Sequence, residues 1–351
     1  MNSSDSPPPP GVDPVLWDQI LHLHEGCLPF LIDILPNSYT YWPNFGAGLT
    51  FSILFFLATV GHLLRYAHFR RWTSPLLALG ALIETTGWAS RTWSSKCPYN
   101  QTAFLIQITT LIIAPTFFAA AIYLFLNQLT THFDLQPQFQ PQPQQTPTPN
   151  QPPATKPLLL LPPRLYATVF CTCDIISLTI QAVGGALASR AAADATDTQP
   201  GTRTMVAGIA FQLATMSLFA LLAGAFLLRV MRDMKSNNTT LINSMTHEVK
   251  LTLLSIGLAF VAIYVRSVYR TIELAQGWEG YLITREGYFI GLDAALMFVA
   301  VGVLLVFDPI VLLSTRETRG DTVPGGGGTS NVYDSMSSEP KQTGRGVSVE
   351  G

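Results

Sequence analysis

Seven apolar stretches alternate with polar connections along this chain. Each is about twenty residues or longer, enough to cross the hydrocarbon core of a bilayer as a helix. A helix satisfies its own backbone hydrogen bonds there, which an open segment in lipid cannot do. The reading is an all-α fold: a polytopic membrane protein with a seven-transmembrane-helix bundle. The expected spans are 44–65, 75–93, 103–126, 165–189, 205–229, 249–273 and 288–313, within a transmembrane domain of 44–313.

The connections set the orientation. The N-terminal segment 1–43 carries no Lys or Arg. Arg65, Arg70 and Arg71 fall in the first connection, Lys156 and Arg164 in the third, and Arg229, Arg232, Lys235 and Lys250 in the fifth. Basic residues concentrate on the cytoplasmic side of membrane proteins. The N-terminus is therefore expected outside and the C-terminus in the cytoplasm. Asn2 and Asn100 then head glycosylation sequons on the outer side, where glycans are attached. Cys27 and Cys97 also fall outside, where thiols oxidise. A Cys27–Cys97 disulfide is expected, the alternative being two free thiols. Cys171 and Cys173, two apart in the fourth span, read as small apolar residues rather than a redox or metal pair.

Two segments read as disordered. The connection 133–163 is dominated by Pro and Gln, and the tail 314–351 is rich in Gly and Ser. Neither composition buries enough apolar surface to offset the entropy of ordering. Segment 13–25 reads as a short, mildly amphipathic outer helix.

Only 12% of the residues are charged, yet several sit at bilayer depth, where charge is costly and usually functional. Glu84 and Arg91 are seven apart in the second span, on nearly one helical face. Asp174, Ser177 and Gln181 form a stripe in the fourth. Arg266, Arg270 and Glu273 form a charged face in the sixth, and Asp293 lies about two turns into the seventh. Expected pairs are Arg266 with Asp293 or Asp174, and Arg270 with Glu273. Pro115 removes a backbone hydrogen bond from the third span and marks a kink and hinge candidate.

The net charge of −2 gives no reason to expect a nucleic-acid partner. No phosphate-binding GxxxxGK[ST] motif occurs, and six scattered histidines cannot assemble an intramembrane metal site. No cofactor, no metal and no enzymatic activity are expected. The third span ends Leu126-Asn127-Gln128 and the seventh Phe307-Asp308-Pro309. Neither carries the signature of a rhodopsin-like receptor.

Particular residues carry a resemblance. They include Glu84-x-x-Gly87-Trp88-x-x-Arg91, Ala114-Pro115 with Ala119-Ala120-Ala121-Ile122-Tyr123, and Asp174-x-x-Ser177-x-x-x-Gln181-x-x-Gly184-Gly185. The most specific run is Arg266-Ser-Val-Tyr-Arg270-Thr-Ile-Glu273-Leu-Ala-Gln-Gly277-Trp-Glu-Gly280, followed by Glu286 and Asp293. The chain resembles the fungal lipid-translocating exporter family, known for aminocholesterol resistance and sphingoid long-chain-base export. It departs from the family pattern with Asp308-Pro309 at the end of the last span and Leu296 before Met297. The resemblance implies a multi-pass plasma-membrane protein, or a vacuolar one, that exports amphipathic lipids or sterol-like toxic compounds and so confers tolerance. Membrane lipids or amphipathic small molecules are then its partners. The expected path residues are Glu84, Arg91, Asp174, Gln181, Arg266, Arg270, Glu273 and Asp293. The competing reading is a seven-helix lipid or stress sensor that signals through a cytoplasmic partner.

Overall fold

The computed structural model describes residues 27, 39, 41–70, 73–134, 163–193, 196–236, 247–277 and 280–307. All belong to one unit, Met1–Leu313. The expected outer helix 13–25, Asn2, most of the Pro/Gln-rich connection and the tail lie outside the described residues.

Seven helices follow in chain order: α1 Phe45–Phe69, α2 Thr73–Ser94, α3 Gln101–Asp134, α4 Pro163–Ala193, α5 Gln199–Ser236, α6 His247–Ala275 and α7 Glu286–Val306. Sequence neighbours pack antiparallel, and α6 packs beside α7 as well as against α3 and α5. Asn44 starts α1 by accepting the Ala47 N–H at 3.1 Å, one of the amides a helix N-terminus leaves without an internal partner. Asn100 does the same for α3, with its Oδ1 2.9 Å from the Ala103 N–H. Its side chain is buried, so the sequon at Asn100 serves first as a helix cap. Gly277, at φ 77°, turns the chain out of α6 in the left-handed region that glycine adopts without strain.

Several ends differ from expectation. α3 continues to Asp134 rather than Leu126, and α5 runs to Ser236 rather than Arg229. Hydropathy marks where a helix leaves the membrane, not where its hydrogen bonds stop. α7 is helical to Val306, and Phe307 is non-helical at φ −109° and ψ 63°; the remainder of the expected span, 308–313, lies outside the described residues.

Six of the helices are long and apolar enough to cross a membrane; α2 is the exception among the seven. Burial explains why. Twelve of the 22 residues of α2 are buried, against five of the 25 in α1. α1 presents Phe56, Leu57 and Leu64 outward, the inverted surface expected of a helix in lipid. α2 instead lies inside the bundle, where polar residues find partners, so its composition is less apolar. A Cβ at Gly87 would stand 2.6 Å from the Leu111 side chain. This glycine permits the close approach of α2 and α3.

The core is aromatic-rich. Tyr123, Phe170 and Phe219 pack ring to ring at 4.5–5.6 Å, and Phe260 continues the row at 5.7 Å from Phe219. α4 and α5 meet through small residues: a Cβ at Gly184 would lie 2.4 Å from the Met205 nitrogen, and one at Gly201 2.3 Å from the Ala188 nitrogen. Close backbone approach of this kind is how helices associate in lipid, where burial of apolar surface offers no gain.

Candidate functional site

At one end of the bundle a charged cluster joins α2, α6 and α7. Arg91, near the end of α2, reaches Glu286 at the start of α7 with Nη2–Oε1 2.8 Å. The same nitrogen donates to the Tyr41 hydroxyl at 2.8 Å, and the guanidinium lies 4.7 Å from the centre of the Phe289 ring. Glu286 also accepts the Asn44 backbone N–H at 2.8 Å. One carboxylate thus ties the start of α1, the end of α2 and the start of α7. Arg270 pairs with Glu273 at 2.6 Å within α6, and the Tyr269 hydroxyl donates to Glu273 at 2.8 Å.

Tyr39 seals this end. Its hydroxyl stands 2.9 Å from Ser94 Oγ and 2.7 Å from Gln107 Oε1. Burial pushes its pKa up to about 12, so it remains a hydrogen-bond donor at neutral pH. The Cys27–Cys97 disulfide is formed, with the Cα atoms 4.6 Å apart. It fastens the N-terminal segment to the connection between α2 and α3. Cys171 and Cys173 are free and half-buried.

A small cleft opens among Tyr39, Tyr41, Arg91, Gln107, Arg270, Glu273 and Phe289. Its volume is about 40 Å³, room for a few water molecules and not for an acyl chain. Phe289 forms part of the wall, and its ring packs 5.5 Å from that of Trp88. Glu84 lies one turn before Trp88 on α2, with the Trp88 indole N–H facing it outside hydrogen-bond geometry.

Deeper in the bundle, Arg266 Nε stands 2.8 Å from Asp293 Oδ1. The contact is an ion pair whose angle falls short of a hydrogen bond. Asp293 lies in a π-helical turn, Ile290–Ala295, inside α7. Such turns are rare and frequently mark functional sites. The Nη2 of Arg266 donates to the Leu111 carbonyl at 2.6 Å. Leu111 lies four residues before Pro115, so the proline, lacking an N–H, leaves this carbonyl without its helical donor. Pro115 stands within a continuous α3, and the acceptor it frees on that helix holds an arginine of α6.

Two buried carboxylates have no such compensation. Glu84 and Asp174 are fully buried, and none of their four oxygens has a hydrogen-bond partner. Glu84 sits near Arg266, Asp293 and Arg270. Asp174 lies beside the Tyr123 hydroxyl, outside hydrogen-bond geometry, at the edge of the aromatic row.

The rest of the α4 stripe is neutral and bonded. Ser177 donates to the Gly208 carbonyl at 2.6 Å, and Gln181 Nε2 to Ser177 Oγ at 2.7 Å and to Gln212 Oε1 at 3.1 Å. Gln212 passes the chain on to Thr116 of α3 at 3.3 Å. Gln181 is thereby a bonded link between α4 and α5, away from the charged cluster.

Of the eight expected path residues, six converge on the α2–α6–α7 region: Glu84, Arg91, Arg266, Arg270, Glu273 and Asp293. Asp174 and Gln181 stand apart on α4. Glu286, Tyr39, Tyr41 and the Leu111 carbonyl complete the cluster without having been singled out for it. Glu286 was open to notice in the sequence as a carboxylate just ahead of the seventh span.

This all-helical bundle with a charged interior is a multi-pass membrane protein. The chain belongs to the RTA1-like protein family, which it matches over residues 77–145 and 154–316. It is similar to the sphingoid long-chain base transporter RSB1 of Saccharomyces cerevisiae (strain Lalvin EC1118), 29% identical over 81% of this chain and 76% of the relative. It is 26% identical to the yeast protein RTA1, over 78% of this chain and 85% of the relative. A third yeast relative, protoporphyrin uptake protein 1, is 28% identical over 63% of this chain and 64% of its own length. No solved structure matches the chain.

Proposed function

We propose that this protein moves amphipathic lipids of the sphingoid long-chain-base kind across the membrane, without acting as an enzyme, and so confers tolerance to them. The observation that carries this reading is the pair of unpartnered buried carboxylates, Glu84 and Asp174. Ion pairs that only lock helices have both members paired, as Arg91 of α2 and Glu286 of α7 do. A carboxylate left without a cation at bilayer depth costs several kcal/mol, and the cost is recovered when a cationic head group arrives. A long-chain base brings an ammonium for the carboxylates and a tail that stays among lipid chains between helices. The relative named as a long-chain base transporter supports transport over sensing.

The proposed orientation has the N-terminus, the disulfide and the cleft outside, with the plasma membrane as the site of action. Asp174, eleven residues from the start of α4, and Glu84, eleven from the start of α2, stand at the same count from the cytoplasmic ends of their helices. Release of a radiolabelled long-chain base from cells tests the reading. Wild type releases it, and Glu84→Gln and Asp174→Asn fall to the level of cells lacking the protein, at equal surface expression. Wild-type release no faster than from cells lacking the protein overturns it.

A further inference from the structure

The ionic balance around Glu84 points further, on the basis of the transport reading above. Among the described residues, three guanidinium groups face four carboxylates in the α2–α6–α7 region. Arg91 takes Glu286, Arg266 takes Asp293 and Arg270 takes Glu273. Glu84 is left over. The ionisable groups facing it are Arg266 and Arg270 from α6 and Asp293 from α7. Arg266 lies close but is committed twice, through Nε to Asp293 and through Nη2 to the carbonyl that Pro115 frees on α3. Arg270 is held by Glu273. From its own helix Glu84 meets only the Trp88 indole N–H, which is itself without a hydrogen-bond partner. The region therefore lacks one positive charge, and Glu84 is where it is lacking. One cation completes the balance and two overfill it.

We propose that Glu84 is a one-cation exchange site, holding a proton in the conformation described and releasing it when the primary ammonium of a long-chain amine takes its place. The O–H bond of the carboxylic acid breaks, the proton passes to water on the side from which the amine came, and the carboxylate pairs with the ammonium. The charge of the region is the same before and after, so no further ion is needed. Departure of the amine on the outer side lets a proton return. The protein is then a proton–amine exchanger, and an acidic exterior drives the base outward. Glu84 does not line the cleft, whose wall includes Arg270 and Phe289, so the site must open for either cation to pass. A lipid of the same shape without the amine charge gains nothing from Glu84.

The test uses the full chain, disulfide intact, in proteoliposomes given a C18 sphingoid base or its N-acyl derivative. One-to-one exchange against one pH unit sustains about a tenfold ratio of base across the membrane. Wild type is expected to reach that ratio within minutes, with matching proton movement reported by a trapped dye, and to do neither with the N-acyl derivative. Glu84→Gln is expected to match protein-free liposomes, and Glu84→Asp to retain the gradient response. A thermal melt of each variant separates lost exchange from lost fold. Wild-type movement of the base at the same rate with and without the pH gradient overturns the exchange while leaving transport standing. A folded Glu84→Gln that keeps the tenfold ratio also overturns it. Wild type indistinguishable from protein-free liposomes in both conditions overturns the transport reading, and the exchange with it.

Discussion

The buried relay of Ser177, Gln181, Gln212 and Thr116 is neutral and satisfies itself, whereas the ionisable side chains buried among α2, α6 and α7 include one, Glu84, with neither an ion-pair nor a hydrogen-bond partner. Ser177, Gln181, Gln212 and Thr116 form a closed relay laid over backbones brought together by Gly184 and Gly201. Such a seam holds helices in lipid at modest strength, with hydrogen bonds worth on average about 0.6 kcal/mol each. The charged region costs far more to bury. Its three ion pairs each join an arginine to a carboxylate, yet Glu84 has no such partner. If packing were the whole purpose, the neutral solution on α4 and α5 would have served on α2 as well. The contrast separates polar residues that join helices from those with work outside the resting structure. By that standard Asp174, on the same helix as the neutral relay, belongs with Glu84.

The largest expected effect breaks the charged region. Arg266→Met leaves Asp293 buried without its cation and the Leu111 carbonyl without its donor. Removing one member of a buried pair typically costs about 3–5 kcal/mol, so the melting temperature and folded yield should fall steeply. Arg266→Met combined with Asp293→Asn should recover much of the loss. Equal instability of the single and the double variant would show that the pair is not what holds α6 to α7.

Next is the disulfide. Cys97→Ser opens a covalent tie between residues 70 apart; loss of such a tie costs about 2–5 kcal/mol in small secreted domains. The melting temperature should drop, and wild type under reducing conditions should drop with it.

A smaller effect sharpens the neutral side. Gly184→Val places side-chain atoms against the Met205 backbone, and overpacking of this kind costs about 1–3 kcal/mol. Gly185, whose added Cβ would meet only the Met205 sulfur at 3.9 Å, should tolerate Ala with little change. Denaturation of the two variants side by side checks the assignment of the seam to Gly184.

Much of this architecture could be read from the chain. The apolar runs announce six of the helices because length and hydropathy suffice for them, while α2, with its buried polar face, falls short by that measure. The i, i+3 and i, i+4 spacing placed Arg270 with Glu273, and loop charge put Cys27 and Cys97 on one side. What was hidden depends on contacts distant in sequence. Glu286 meets Arg91 across 195 positions, and nothing local announces it. Pro115 could be read as a break in α3, but not that an arginine of α6 would take the carbonyl it frees. The π-turn around Asp293 has no apolar signature, because one extra residue per turn leaves composition unchanged. Helix ends at Asp134 and Ser236 escaped for a different reason: a helix continues into water when its backbone bonds remain good, whatever its hydropathy.

The central claim is that the unpartnered carboxylate serves transport and not stability. It is tested most directly by measuring melting temperature and long-chain-base transport together for Glu84→Gln and Gln181→Leu. Glu84→Gln should melt close to the wild-type temperature, since a neutral amide of the same shape replaces an acid that has no hydrogen-bond or ion-pair partner, and should carry no base. Gln181→Leu should melt lower, by a shift corresponding to about 1–2 kcal/mol from the unpaired groups it leaves, and should still carry base in proportion to folded protein. The reverse pattern, with Glu84→Gln unstable yet transporting per folded molecule, would contradict the account.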